Sequence, residues 1–145
     1  MNLVGLLFSY DGRINRGKFW LAVLAYVIIS IVLGLLLIIP VLGWIVAGIG
    51  YVAMIVSGVF VGIKRLHDRA KPGWWLVIFY VIPTILSGIG AYLTYEADEQ
   101  TAVAMLLSLV SFGLSLWGFV ELGCLRGTVG PNQYGPDPIA PQAAH

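Results

Sequence analysis

The sequence predicts an all-α membrane protein: four transmembrane helices in a bundle, with both termini on the cytoplasmic side. Three observations predict it. Hydrophobic residues make up 59% of the 145 and charged residues only 10%. A soluble domain carries roughly 25% charged residues, so this chain cannot clothe a water-facing surface. Long uncharged stretches separate the charges, and Phe19 to Ile63 holds none at all. Threading those stretches across a bilayer leaves all eight Lys and Arg residues on one side. The acidic cluster Glu96, Asp98 and Glu99 falls on the other.

A helix crosses the ~30 Å hydrocarbon core in about 20 residues. Phe19–Ile63 is therefore two crossings, divided by the turn signals Pro40 and Gly43. The expected spans are 19–39, 43–63, 74–93 and 102–125, with a charged loop at 64–73 and an acidic loop at 95–101. The tail, 126–145, is rich in Pro and Gly. The whole chain, 1–145, reads as one four-span domain. A single span plus a re-entrant piece over 19–63 is the alternative, but it would put the acidic loop on the basic side. The first span is expected to act as an uncleaved anchor, because the start lacks the pattern of a cleaved signal.

Orientation follows the excess of bases on the cytoplasmic side. Arg13, Arg16 and Lys18 precede the first span. Lys64, Arg65, Arg69 and Lys71 join the second to the third, and Arg126 follows the fourth. Phe19, Trp20, Trp74 and Trp75 mark the inner interface, and Trp44, Tyr92 and Tyr95 the outer one. A net charge of +1 gives no reason to expect a nucleic-acid partner. The expected partners are the bilayer and its anionic headgroups, with a homo-oligomer or another membrane protein as further candidates. One cysteine, Cys124, permits no intrachain disulfide.

Within the spans, Gly58 and Gly62 form G-x-x-x-G, which serves either as a dimer face or for packing within the bundle. Gly43 and Ala47, and Ser111 and Ser115, share that spacing. Pro83 lies inside the third span and predicts a kink. No ionisable group sits near the midplane, where ion-coupled carriers usually place one. Glu121, about a turn inside the fourth span, reads as a proton or cation site, or as the ion-pair partner of a cytoplasmic Arg.

The chemistry gathers at the basic end. Arg13, Arg16 and Trp20 share a stripe if the first helix extends down to them, and Arg65, Asp68 and Arg69 share a face if the second helix continues. His67 points elsewhere on that turn. Asn15 is placed to cap the first span. Arginine forks bind phosphate or carboxylate, and beside interfacial Trp they suit a lipid headgroup or a small anion. The plain alternative is a cluster that only sets topology. No metal and no cofactor is expected: His67 and Asp68 have only the terminal His145 for company, and a catalytic zinc needs three protein ligands. No catalytic residue is assigned, for the chain lacks G-x-S-x-G and a phosphate-binding Gly-rich loop.

Three motifs are recognisable as a set. Ser9-Tyr10-Asp11-Gly12-Arg13-Ile14-Asn15-Arg16 with Phe19-Trp20, then Arg65-Leu66-His67-Asp68 with Gly73-Trp74-Trp75, then Gly130-Pro131-Asn132-Gln133-Tyr134-Gly135-Pro136-Asp137-Pro138, resemble domain-of-unknown-function family 805, the YhaH-type small bacterial inner-membrane proteins. The resemblance covers nearly the whole chain. It implies a polytopic bacterial inner-membrane protein and no established activity.

The expected site is a polar cap in which Asn132, Tyr134 and Asp137 fold back onto Arg13, Arg16, Arg65 and Asp68, with His67, Trp20, Trp74 and Trp75 around it. The first functional reading is a binding or accessory module for an anionic lipid, an anion or a partner protein. A small oligomeric transporter or channel is the second, and a lipid-headgroup enzyme using His67 the third.

Overall fold

The computed structural model describes residues 3–139. Five helices follow one another: α1 Leu3–Phe8, α2 Arg16–Leu36, α3 Leu42–Asp68, α4 Ile82–Ala97 and α5 Ala102–Phe119. A π turn, Val77–Val81, runs into α4, and a second, Val120–Cys124, ends α5. Among the described residues four helical stretches are long and apolar enough to cross a membrane: Arg16–Leu36, Leu42–Asp68, Val77–Ala97 and Ala102–Cys124.

Local chemistry sets the boundaries. The Asn15 side chain accepts from the Lys18 N–H at 2.9 Å and so opens α2. Thr101 does the same for α5 through the Ala104 N–H at 3.1 Å. α2 stops at Leu36, three residues short of the expected Ile39. The turn to α3 is tight: Val41 has φ 62°, and a side chain on Gly43 would overlap the Leu36 carbonyl oxygen. Only glycine lets the two backbones meet there.

Two expectations need correction. α3 runs on to Asp68, so Lys64–Asp68 is helix where the charges predicted loop. Those charges do not need water, because their polar atoms are bonded within the protein. The third span extends to Ala97 and ends on Asp98 in the left-handed region, φ 52°, so part of the expected acidic loop is helical. α1 was not expected at all. It packs on α3 through the Ser57 hydroxyl, which donates to Leu7 O at 2.9 Å, and through the Lys64 ammonium, which donates to Gly5 O at 2.7 Å and to Leu6 O.

Pro83 lies directly after the first π turn. A proline lacks an N–H and crowds the carbonyl four residues earlier. The wider turn bonds Ile82 N–H to Val77 O instead, which opens the backbone ahead of the ring. Pro83 O accepts from Ser111 at 2.8 Å, and Ser111 pairs with Ser87 at 2.6 Å. The Gly58/Gly62 motif splits in two. A side chain on Gly62 would strike Leu76 at 2.9 Å, so that glycine packs within the chain, whereas nothing lies within 4 Å of Gly58.

α2 and α3 form one antiparallel hairpin, and the first π turn, α4 and α5 the other. The hairpins meet where the second π turn lies against α2 and α3. A core of Leu66, Leu76, Phe79 and Leu122 fills that junction. Ile14, Leu6, Ala22 and Val61 form a second core beside it, under α1. Both cores belong to the charged end. Beyond it the hairpins leave apolar cavities of about 320 Å³ and 570 Å³, which share Phe19, Val23 and Tyr80 as walls.

Candidate functional site

The second π turn ends a helix, so its last carbonyls have no partner along the chain. Arg65 supplies one. Its Nε donates to Leu122 O at 2.7 Å and its Nη2 to Leu125 O. A cation there also suits the helix dipole. Arg16 Nη1 donates to Cys124 O at 2.9 Å, and the Trp20 indole N–H to Gly123 O at 3.0 Å. Three side chains from two helices thus hold the end of the fourth span.

Asp68 gathers the rest. Its Oδ2 accepts from Arg65 Nη1 at 2.5 Å. Its Oδ1 accepts from Arg13 Nε at 3.2 Å and Nη2 at 3.1 Å. Arg13 precedes α2 and does not share the stripe of Arg16 and Trp20, which corrects the expected alignment. It instead lies buried between Asp68 and the tail, with Nη2 donating to Thr128 O at 2.6 Å and Nη1 to Gly130 O at 2.7 Å and Gly135 O at 3.3 Å. Nothing faces outward: Arg65 has no exposed surface and Asp68 2%. A buried charge is tolerated only when paired and hydrogen-bonded, and this cluster meets both conditions.

The tail closes over the cluster. Thr128 N–H donates to Asp68 O at 2.8 Å. Asn132 and Gly135 exchange backbone bonds at 3.0 Å, and Gly130 and Gly135 take φ values of 78° and 133° that few other residues adopt. The Asn132 amide donates to His67 O and to Thr128 Oγ1, both at 2.9 Å. Tyr134 stacks on the His67 ring at 3.9 Å with the planes 2° apart, while His67 Nδ1 lies 3.3 Å from Gly12 O. Asp137 holds the last turn, accepting from Gly130 N–H and Ile139 N–H, each at 2.9 Å. Asn132 and Tyr134 therefore meet His67 with their side chains, Arg13 and Asp68 are met through the tail backbone, and Asp137 bonds tail N–H groups; among the described residues the three make no direct bond to Arg16 or Arg65.

A second ion cluster lies beside the first. Glu121 receives Arg69 at 2.9 Å and Lys71 at 3.0 Å, so its role is that of an ion-pair partner. Arg69 also donates to Arg126 O. Lys71 stands 4.2 Å over the Trp75 ring, which meets Trp117 edge to face, while Trp74 is exposed. Among the described residues no group of three or more His, Cys, Asp or Glu could hold a metal, and His145 lies outside them. Lys64 is the residue that sequence reasoning missed. It shares the inner face of α3 with Val61, Arg65 and Asp68, and that spacing of three and four was the available signal.

One pH effect follows. The Ile139 and Gly130 N–H groups hold the Asp137 carboxyl below its ordinary value, with a smaller pull from Arg13 and Arg126. A depressed carboxyl contributes fully above its unfolded value and loses that contribution as pH falls through the folded one. The turn spanning Gly130 and Ile139 is thus expected to keep its amide protection at neutral pH and to lose it only in acid, as pH falls below the ordinary carboxyl range. Hydrogen exchange of those two amides, corrected for intrinsic rate, checks this. Loss of protection near neutrality would contradict it.

Four apolar helices joined at one end by a polar clamp define a multi-pass membrane protein with an ordered, charged end. Residues 7–136 match the family described as a protein of unknown function, DUF805, and the chain belongs to that family. Its relatives include the uncharacterized protein YiiR of Escherichia coli (strain K12), 31% identical over 94% of this chain and 90% of that one. The inner membrane protein YhaH of the same organism is 29% identical over 90% of this chain and 87% of its own length. No solved structure matches.

Proposed function

We propose that the chain is a binding or accessory module of the bacterial inner membrane that recognises anionic lipid headgroups with the bases left exposed at its clamped end. Both termini face the cytoplasm in this reading. The gathering of the bases at the end that carries the N-terminal segment and the tail supports that orientation, and the inner-membrane relative supports the choice of membrane.

The observation that carries the reading is the saturation of the clamp. Arg13 and Arg65 spend their donors on Asp68 and on carbonyls of the tail and second π turn. They act as a latch, together with His67, Asp68, Asn132, Tyr134 and Asp137. The bases left exposed are Arg16, Lys18 and Arg126, with Trp20 and Trp74 also exposed at the charged end. Bases and indoles at one depth suit an anionic membrane surface.

The transport reading is supported less well. Ser57 is bonded to Tyr26 and Leu7 O, Ser87 to Ser111, Ser108 to Ala104 O and Ser30 to Val27 O, which commits most of the hydroxyls a polar path would need.

The test is native mass spectrometry of the full chain in lipid discs, wild type beside a variant with Arg16, Lys18 and Arg126 all changed to Gln. Each base near an anionic surface contributes about 1 kcal/mol, so the variant is expected to bind phosphatidylglycerol on the order of a hundredfold more weakly. Equal binding of phosphatidylglycerol and phosphatidylcholine by wild type would overturn the reading. So would a bound polypeptide or a second copy in place of lipid.

A further inference from the structure

The first turns of α2 carry a stripe that continues from charge into apolar surface. Arg16, Phe19, Trp20 and Val23 are spaced three, four and seven residues apart, so they share one face. On the fourth span Ser115, Gly118, Phe119 and Leu122 repeat that spacing. Phe19, Trp20 and Val23 of the first face and the whole of the second line the 320 Å³ groove, with Phe79 and Tyr80 on its third side. Its size is that of a small-molecule site.

The groove has a built shape. A side chain on Gly118 would strike Phe79 at 2.8 Å, so the glycine sets the depth of the wall there. Trp20 meets Phe119 edge to face at 5.9 Å, and its N–H on Gly123 O fixes the indole at the groove's charged end. Arg16 stands one turn further out. Among the described residues only its Nη1 is spent, on Cys124 O, and the residue is exposed. The nearest carboxylate of that helix end, Glu121, is taken by Arg69 and Lys71. The larger cavity ends instead at Gly73 and Ile63.

We infer that this groove is a phospholipid site: one acyl chain of an anionic phospholipid lies between α2 and α5, and its phosphate bonds the free edge of the Arg16 guanidinium. The match of an apolar slot to an unspent guanidinium at its mouth selects that occupant over a partner helix, which would bring no phosphate to Arg16. The site deepens the headgroup reading above and rests on it, adding a place for the chain.

The test separates the two. Ser115 is exposed within the groove wall, so Ser115→Phe fills the slot and leaves every base in place. In lipid discs this variant is expected to bind phosphatidylglycerol about fivefold more weakly than wild type, as is Arg16→Gln alone, with phosphatidylcholine unchanged. Full binding by Ser115→Phe, with loss in the triple base variant, would remove the groove and leave the headgroup reading standing. No preference for phosphatidylglycerol in wild type would remove both. A second measurement adds no bulk to the groove, and Trp20→Phe serves to assign the Trp20 share of the signal. Wild type and Trp20→Phe in phosphatidylcholine discs are titrated with phosphatidylglycerol brominated near the top of its acyl chain. The Trp20 share of the fluorescence is expected to be quenched first and to saturate. Quenching of all tryptophans in proportion to bulk bromolipid would overturn the site, and so would a dimer that excludes lipid from the groove.

Discussion

Replacing Asp68 with Ala is expected to cost about 3–5 kcal/mol, because it leaves two buried guanidinium groups without their shared anion. Asp68 Oδ1 serves Arg13 and Oδ2 serves Arg65, and both arginine side chains are nearly inaccessible, at 1% and 0%. Neither can swing into water without giving up its carbonyls, which belong to the tail for Arg13 and to the second π turn and the residue that caps it for Arg65. The variant should therefore lose two things together. The tail should become sensitive to protease near Tyr134, and the contact between the hairpins should loosen. Asp68→Asn keeps one acceptor oxygen and should fall between wild type and Ala. Pairing Asp68→Ala with Arg65→Ala should cost less than the sum of the two, since the second change removes a charge that the first had orphaned. Unfolding in mild detergent followed by circular dichroism, with limited proteolysis of the tail, checks all three. A change below about 1 kcal/mol for Asp68→Ala would mean that the cluster is solvated and the latch is not structural.

The sequence makes this arrangement partly legible, and the boundary is physical. Hydropathy finds the spans because a bilayer demands a fixed apolar length, and the Asn15 cap is local, so neighbouring residues reveal it. Lys64 to Asp68 misleads, because hydropathy counts each charge as exposed. Lys64 is in truth spent on carbonyls of α1, and Arg65 on Leu122, Leu125 and Asp68. That compensation lies more than fifty residues away for most bonds, and no local pattern shows it. The tail motif carried the right residues, yet its contacts with Arg13 go through the carbonyls of Thr128, Gly130 and Gly135, which side-chain identity does not announce. The cavities between the hairpins are likewise silent in sequence, since a lipid-facing and a groove-facing leucine look alike.

Gly127→Ala is the second large effect, and it is expected from a residue with no polar side chain. A methyl at that position would overlap the Asp68 carboxylate, with Oδ2, Cγ and Oδ1 as the three nearest atoms. Gly127 has none of the positive φ of Gly130 and Gly135, so the glycine is required for space and not for conformation. A crowded side chain usually rotates away at little cost. Asp68 cannot, because Arg13 holds one oxygen and Arg65 the other. The tail must move instead, which breaks the Thr128 N–H bond to Asp68 O and the Arg13 bond to Thr128 O. Overpacking of this kind costs about 1–3 kcal/mol, and here the cost should appear as release of the tail with the spans intact. Gly58→Ala is the matched control: it has open space around it and should be neutral or gain up to about 1 kcal/mol from helix propensity. Hydrogen exchange of the Thr128 and Gly130 amides, set against that of α4 and α5, separates the outcomes. Protection unchanged in Gly127→Ala would mean that Asp68 is free to yield, and the clamp would then be looser than its hydrogen bonds imply.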